Sequence, residues 1–258
     1  MAKYRNVTPW LIAAPAVAAG VASFVAYGAV NAQAQLFGPT LRATPRLPSL
    51  ALTFDDGPNP MITPKLLDLL DRYRAKATFF LVGKFVWESP ALVKEIVARG
   101  HLIGNHTNSH PNLFFCGPAE TRAELLRCTD AIQQAAWIEP RWFRPPFGFR
   151  SPWLSDIVHQ QSMRTVMWSL LPGDWRAKPA DWLIARMQPI WDHARQLPQH
   201  NHAHPSGDIL CLHDGDYARP NGDRARTLAA LEFWLPRWRD VGLEFVTISE
   251  AAGKAVEG

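Results

Sequence analysis

Two imidazoles stand four residues apart in Asn105-His106-Thr107-Asn108-Ser109-His110-Pro111, the spacing at which one helical turn projects both to the same side. Such a pair suits a shared metal ion, with a carboxylate from a neighbouring strand end as third ligand and one position left open for water. Thr53-Phe54-Asp55-Asp56-Gly57-Pro58 supplies two adjacent carboxylates of the required kind. Successive side chains of a strand point in different directions, so the two can divide the labour that hydrolysis needs. One binds the metal while the other takes a proton from the attacking water. Alone, Asp-Asp-Gly-Pro reads as a turn with solvated carboxylates, and a His pair at this spacing also arises by chance on a surface.

Bringing these groups together requires strands that end side by side. From Ser49 onward short apolar runs alternate with helical patterns, placing strands at 50–54, 77–82, 102–104, 142–143, 165–169, 209–212 and 245–248. The intervening helices fall at 64–73, 90–99, 118–135, 152–161, 179–195 and 223–239. In the second of these, Leu92, Val93, Ile96 and Val97 recur at spacings that lay a helix on a sheet. The alternation is that of an α/β chain with a parallel sheet or barrel. Polar residues collect where strands end: Asp55-Asp56 after the first, His106 and His110 after the third, Arg144 after the fourth. Asp174-Trp175 follows the fifth and His213-Asp214 the sixth. A β/α barrel builds its active site from the loops at those ends, so residues distant in sequence are expected around one mouth.

The rest of the chain bounds the setting. With 47% hydrophobic and 19% charged residues the 258-residue sequence is neither disordered, coiled-coil nor collagen-like. The net charge of +4 comes with no Lys/Arg stripe, so no nucleic-acid partner is expected. Lys3 and Arg5 precede an uncharged run from Trp10 to Val30, followed by the small-residue pattern Ala32-Gln33-Ala34. Residues 1–34 therefore read as a signal peptide or an uncleaved signal-anchor, and residues 10–30 offer a means of membrane attachment. Either reading makes the remainder extracytoplasmic, periplasmic or secreted. Residues 35–48, with Pro39, Pro45 and Pro48, read as a linker, and 49–258 as one domain without internal repeats. Three cysteines cannot all pair; Cys116 and Cys128 are able to, and Cys211 lies in an apolar strand as a small hydrophobe.

Five ordered segments now carry a resemblance. Thr53–Pro58, His106–His110, Arg144-Pro145-Pro146-Phe147-Gly148, Asp174-Trp175 and Leu212-His213-Asp214 resemble the signature motifs of the polysaccharide deacetylases. These are the NodB-like domains of carbohydrate esterase family four, and the likeness covers about residues 49–250. The resemblance implies a distorted (β/α) barrel of about seven parallel strands and metal-dependent removal of N-acetyl groups from a glycan containing N-acetylglucosamine, such as peptidoglycan or a chitin-type oligomer. It implies Asp55 as general base, His213 as catalytic acid, and Asp56, His106 and His110 as ligands of one divalent metal. Zinc is the first expectation, with cobalt, nickel or manganese as alternatives. By the same likeness Arg144 orients the base, Asp174 tunes the acid, and the backbone N–H of Phe147 stabilises the oxyanion. Trp175, Cys211 and Leu212 are implied on the substrate side.

The sequence departs from the family pattern in three places: Phe147 where Tyr is common, Leu171 where an Asp is common, and Cys211 where Leu is common. The second suggests a thinner network around Arg144. Three further histidines, His200, His202 and His204, read as a solvated loop, Trp142 as a second candidate face for sugar, and Arg150, Arg176 and Lys178 as a charged rim. Removal of O-acetyl groups or hydrolysis of another non-peptide amide would use the same machinery. A silent glycan-binding module is a further alternative, and the triad chemistry also suits a two-His, one-carboxylate iron oxygenase, against which the adjacent base and acid argue.

Overall fold

The structure, a computed structural model, describes residues 10–45, 48–196 and 207–253, and His200, His202 and His204 lie outside them. Among the described residues one sheet contains β1 (Ser49–Gly57), β2 (Ala77–Leu81), β3 (Leu102–Asn105), β4 (Trp142–Phe143), β5 (Arg164–Thr165), β6 (Asp208–His213) and β7 (Glu244–Phe245). The order is β5-β4-β3-β2-β1-β6 with β7 beside β1, and every pairing is parallel. Past β5, Ser169 and Leu170 donate to Ile209 O at 3.0 and 3.2 Å, and Leu170 bridges Leu210. The sheet is thereby curled into a distorted half-barrel whose two edges are linked, which is the architecture expected of a distorted (β/α) barrel.

The helices around it are α1 (Trp10–Val30), α2 (Thr63–Arg72), α3 (Gly83–Glu88), α4 (Pro90–Ala98), α5 (Pro118–Ala136), α6 (Leu154–Gln160), α7 (Ala180–Gln196), α8 (Ala225–Asp240) and α9 (Ile248–Ala252). Prolines open α2, α4 and α5, where the missing N–H costs no hydrogen bond and the fixed φ suits the first turn. Side chains in α1 are described only from Val17 onward, a stretch too short to cross a membrane by itself, and among the described residues no other helix is long and apolar enough to do so.

The pleat of β1 explains how one strand serves both core and site. All nine of its residues are buried. Leu50, Leu52 and Phe54 face outward into the main core with Leu66, Leu70, Ile96, Leu231 and Trp238. Ala51 faces inward with Phe80, Trp142, Val166 and Ile209 in the barrel interior. The next two inward positions are Thr53 and Asp55, so a single alternation fills the barrel floor with apolar groups and its mouth with polar ones.

Several sequence-based boundaries change. The chain at 245–248, expected as a strand, turns into α9 at Ile248, because Thr247 and Glu250 form a reciprocal capping box. The strand expected at 165–169 is regular only at Arg164–Thr165, and α3 had no counterpart in the sequence reading. Residues of the Pro-containing stretch, expected as a linker, are bonded along the domain. Leu41 N donates to Thr165 O at 2.9 Å and Leu41 O accepts from Met167 at 2.7 Å, while Thr44 pairs with Gly207. Cys116, Cys128 and Cys211 are all free thiols.

Candidate active site

Asp55 and His213 are register partners on adjacent parallel strands, as are Thr53 and Cys211 two residues earlier. The sheet thus places the two outermost inward positions of β1 and β6 side by side. Asp55 Oδ1 accepts from Arg144 Nη1 at 2.8 Å. The same nitrogen donates to Thr53 Oγ1 at 2.7 Å and approaches Cys211 Sγ at 3.5 Å. Arg144 Nη2 donates to Met167 O at 2.9 Å and Nε to Val166 O at 3.4 Å. Leu171 therefore does not leave this guanidinium short of partners: backbone carbonyls on the chain after β5 fill the place. Arg144 also lies over the Phe80 ring at 4.3 Å. Glycine at 104 leaves room for that ring, since a Cβ there would stand 2.5 Å from Phe80 Cδ1.

Asp56 departs from the strand. A register shift between Asp55 and Gly57 and a φ of 69° at Asp56 turn its carboxylate away from Arg144. Its Oδ1 comes within 3.1 Å of His110 Nε2 and 3.5 Å of His106 Nε2. The two histidines do not sit on a helical turn, as their spacing suggested. They lie in a loop with positive φ at Thr107 (66°) and His110 (63°). Side chains hold that loop: Asn105 Oδ1 accepts from Thr107 N at 2.8 Å, and Thr107 Oγ1 from His110 N at 3.1 Å. Glu124 of α5 accepts from the N–H groups of Asn108 and Ser109 at 3.0 and 2.8 Å.

The donor set of Asp56, His106 and His110 fits a metal ion. One ligand atom from each lies within 4.8 Å of the others, and all three residues are buried. Asp56 Oδ1 has no hydrogen-bond partner despite its close histidines, as expected of atoms that share a centre rather than bond to each other. His106 Nδ1 donates to Arg144 O at 2.7 Å, which fixes the tautomer and leaves the Nε2 lone pair free. Burial alone would raise the Asp56 pKa, but the two imidazoles beside it hold the carboxyl well below the usual range. Burial lowers that of His110, with Asp56 opposing. Both are thus in the deprotonated forms that bind metal at neutral pH.

His213 has the opposite electrostatics. Its Nδ1 bonds Asp174 Oδ1 at 2.8 Å, and its backbone N–H donates to Asp174 Oδ2 at 2.8 Å. Thr227 Oγ1 completes the carboxylate at 3.0 Å. Burial works against the imidazolium, yet the Asp174 charge and hydrogen bond outweigh it and push the pKa up to about 9. Asp55, Cys211 and His213 each offer an atom within 4.8 Å of the others, so the Asp55 carboxylate and the protonated imidazole stand close together.

Around the mouth Phe147, Trp175 and Tyr217 are 46%, 43% and 41% exposed. Trp175 meets His213 edge to face at 5.1 Å. Tyr217 stacks on His110 at 4.3 Å, and Phe147 meets both rings edge to face. Phe147 itself has φ 57°, and its N–H has no acceptor among the described residues, whereas those of Gly148 and Phe149 are bonded. A left-handed residue here turns one backbone donor out of the local ladder.

Four sequence expectations are corrected. Leu212 is not at the mouth: on β6 Ile209, Cys211 and His213 share the inward face, so Leu210 and Leu212 join the outer core. Cys211 is 1% exposed beneath Asp55, donating to its Oδ2 at 3.3 Å, and so forms floor rather than wall. Trp142 is likewise buried, with Nε1 on Ser249 Oγ at 2.8 Å, and Arg150 is buried rather than on a rim. Sequence reasoning missed Glu124, Thr227 and Tyr217. The first two carry no motif signal, and Tyr217 had only its place four residues after His213.

The sequence matches the polysaccharide deacetylase family over residues 42–166. It is 37% identical over 202 residues to a peptidoglycan-N-acetylglucosamine deacetylase of Bacillus cereus, covering 78% of this chain and 86% of that one. It is 35% identical over 209 residues to a chitooligosaccharide deacetylase of a Bradyrhizobium species, covering 76% and 87%. The fold is similar to that of a family 4 carbohydrate esterase pseudoenzyme from Bacillus anthracis, with TM-score 0.68, 28% identity, and coverage of 82% and 67%.

Proposed function

Because the chain belongs to the polysaccharide deacetylase family, we propose that it is an exported, metal-dependent enzyme that hydrolyses N-acetyl groups of a glycan containing N-acetylglucosamine, either peptidoglycan or a chitin-type oligomer. The observation that carries this reading is a base and an acid, Asp55 and His213, each with its own buried counter-charge, next to the Asp56, His106 and His110 cluster. Asp56, His106 and His110 would hold the ion, with zinc favoured by the nitrogen and carboxylate donors. A divalent ion bound there would supply Lewis acidity toward the acetamide carbonyl and the attacking water.

The protein groups supply the proton transfers. Asp55, fixed by Arg144, takes a proton from the water that attacks the carbonyl carbon. Charge that develops on the carbonyl oxygen is met by the Phe147 N–H. His213, protonated below about pH 9, gives its proton to the nitrogen as the C–N bond breaks, leaving acetate and a free amine. Phe147, Trp175 and Tyr217 offer ring faces to the sugar on which the acetamide is carried.

The likeness to a pseudoenzyme supports one rival, a silent glycan-binding protein. Acetate release from N-acetylglucosamine oligomers and from peptidoglycan, measured on metal-stripped protein with and without zinc or cobalt, separates the two. Metal-dependent release, lost in Asp55→Asn, is the expected result. Glycan binding without acetate from any N- or O-acetylated substrate, at one bound metal per chain, would overturn catalysis.

A further inference from the structure

We infer that α1 is retained on the mature protein, its end clamped by Arg150 to the loop that carries Phe147 and its apolar body inserted in a lipid bilayer. Arg150 is only 1% exposed. Its Nη1 donates to Ala34 O at 2.8 Å, and its Nη2 to Asn31 O at 2.6 Å and Gly28 O at 3.1 Å. The Arg150 backbone N–H donates to Ala29 O at 3.0 Å. A helix leaves its last carbonyls without partners inside the helix and favours a cation at that end. Here one guanidinium, three residues beyond Phe147, supplies both requirements.

The dependence runs the other way as well. Every side-chain hydrogen bond of Arg150 among the described residues goes to residues 28–34. Removal of the chain up to Ala34 would take away every side-chain acceptor that Arg150 has among the described residues and uncover the guanidinium they pack against. Other contacts fasten the same segment. Arg42 Nη1 donates to Gln33 O at 2.6 Å, and Gln33 Nε2 to Trp168 O at 2.9 Å. Gly28 is so close to the chain that a Cβ would stand 2.6 Å from Leu36 Cδ2. Ala29 and Ala34 are buried. Ala34, the last residue of the pattern that reads as a cleavage signal, is therefore a packing residue of the folded domain.

Beyond Gly28 the helix leaves the domain. Val17, Val21, Phe24 and Tyr27 are between 53% and 66% exposed, and no charge interrupts the 21 residues from Trp10 to Val30. At about 1.5 Å per residue that length approaches the hydrocarbon thickness of a bilayer. Apolar side chains on every side without a polar face match lipid rather than a glycan or one protein groove. Lys3 and Arg5 flank the far end, where the positive-inside rule keeps them in the cytoplasm.

The test uses the full chain expressed in a Gram-negative host and requires no activity, so its failure is separate from that of the deacetylase reading. Intact mass of the product should include residues 10–34, and the protein should stay with membranes through an alkaline carbonate wash. A soluble product beginning at or after residue 32 would overturn retention, and a detergent-free soluble dimer would overturn the lipid assignment. In detergent, Arg150→Lys, which loses the planar fork, should speed amide exchange of residues 28–34 about 10-fold or more while β1 stays protected. Unchanged exchange in that variant would overturn the clamp.

Discussion

The wholly buried guanidinium of Arg144 reaches across 89 residues of sequence to hold Asp55 Oδ1 at 2.8 Å, while its backbone carbonyl holds His106 Nδ1 at 2.7 Å. One residue therefore positions the Asp55 carboxylate through its side chain and a metal-ligand candidate through its main chain. Arg144→Ala should lower kcat as severely as Asp55→Asn, and also destabilise the fold by about 3–5 kcal/mol by leaving a buried carboxylate unpaired. Asp55→Asn should cost roughly 100- to 10,000-fold in kcat with much less effect on stability. Denaturant unfolding alongside acetate release distinguishes the two; equal stability of both variants would argue against the pair.

The His213 proton sets an alkaline limit. With the pKa pushed up to about 9, activity should hold through neutral pH and fall as pH rises through about 9. The Asp174–His213 pair also stabilises the fold fully below the ordinary histidine value of 6.5, and that contribution is lost as pH rises through about 9. Asp174→Asn removes the charge but not the burial, so the alkaline limb should move down, to the ordinary histidine range or below. A pH–rate profile in which the mutant limb stays in place would exclude His213 as the acid.

Metal occupancy should depend on Asp56, His106 and His110 together. His110→Ala and Asp56→Ala are each expected to lose the bound ion, read as metal content per chain after dialysis. Glu124→Ala should weaken metal affinity by about 10- to 100-fold, because it frees the backbone of the loop between the histidines. Retention of full affinity in that variant would show that the loop holds itself.

Tyr217 should act on binding rather than chemistry. Its ring is stacked on His110 and 41% exposed. Tyr217→Ala is expected to raise KM by about 2- to 10-fold, the equivalent of one lost aromatic contact of about 0.5–1.5 kcal/mol, with a smaller change in kcat. A change confined to kcat would place the ring in support of His110 instead.

The residues able to do chemistry, and the strand ends that carry them, were legible in the sequence. Short apolar runs and helical spacings are local signals, and they sufficed for an α/β chain with a parallel sheet or barrel and with Asp55, Asp56, His106, His110, Arg144, Asp174 and His213 at its strand ends, while the resemblance supplied the distorted barrel. What local pattern cannot carry is direction. A one-residue shift in β6 decides that Cys211 faces Asp55 and Leu212 the outer core. The spacing of His106 and His110 suggested a helical turn, but left-handed residues in a loop held by Glu124 perform the same convergence.

Residues 28–34 make the same point about packing. In sequence they are mostly small residues similar to an export cleavage signal; in the fold the carbonyls of Gly28, Asn31 and Ala34 surround Arg150, a residue more than 115 positions away. The sequence determined the chemistry and the order of elements, because side-chain type and periodicity are written locally. Tertiary structure alone decided which atoms meet, because backbone carbonyls, strand register and burial belong to the folded chain and to no single segment.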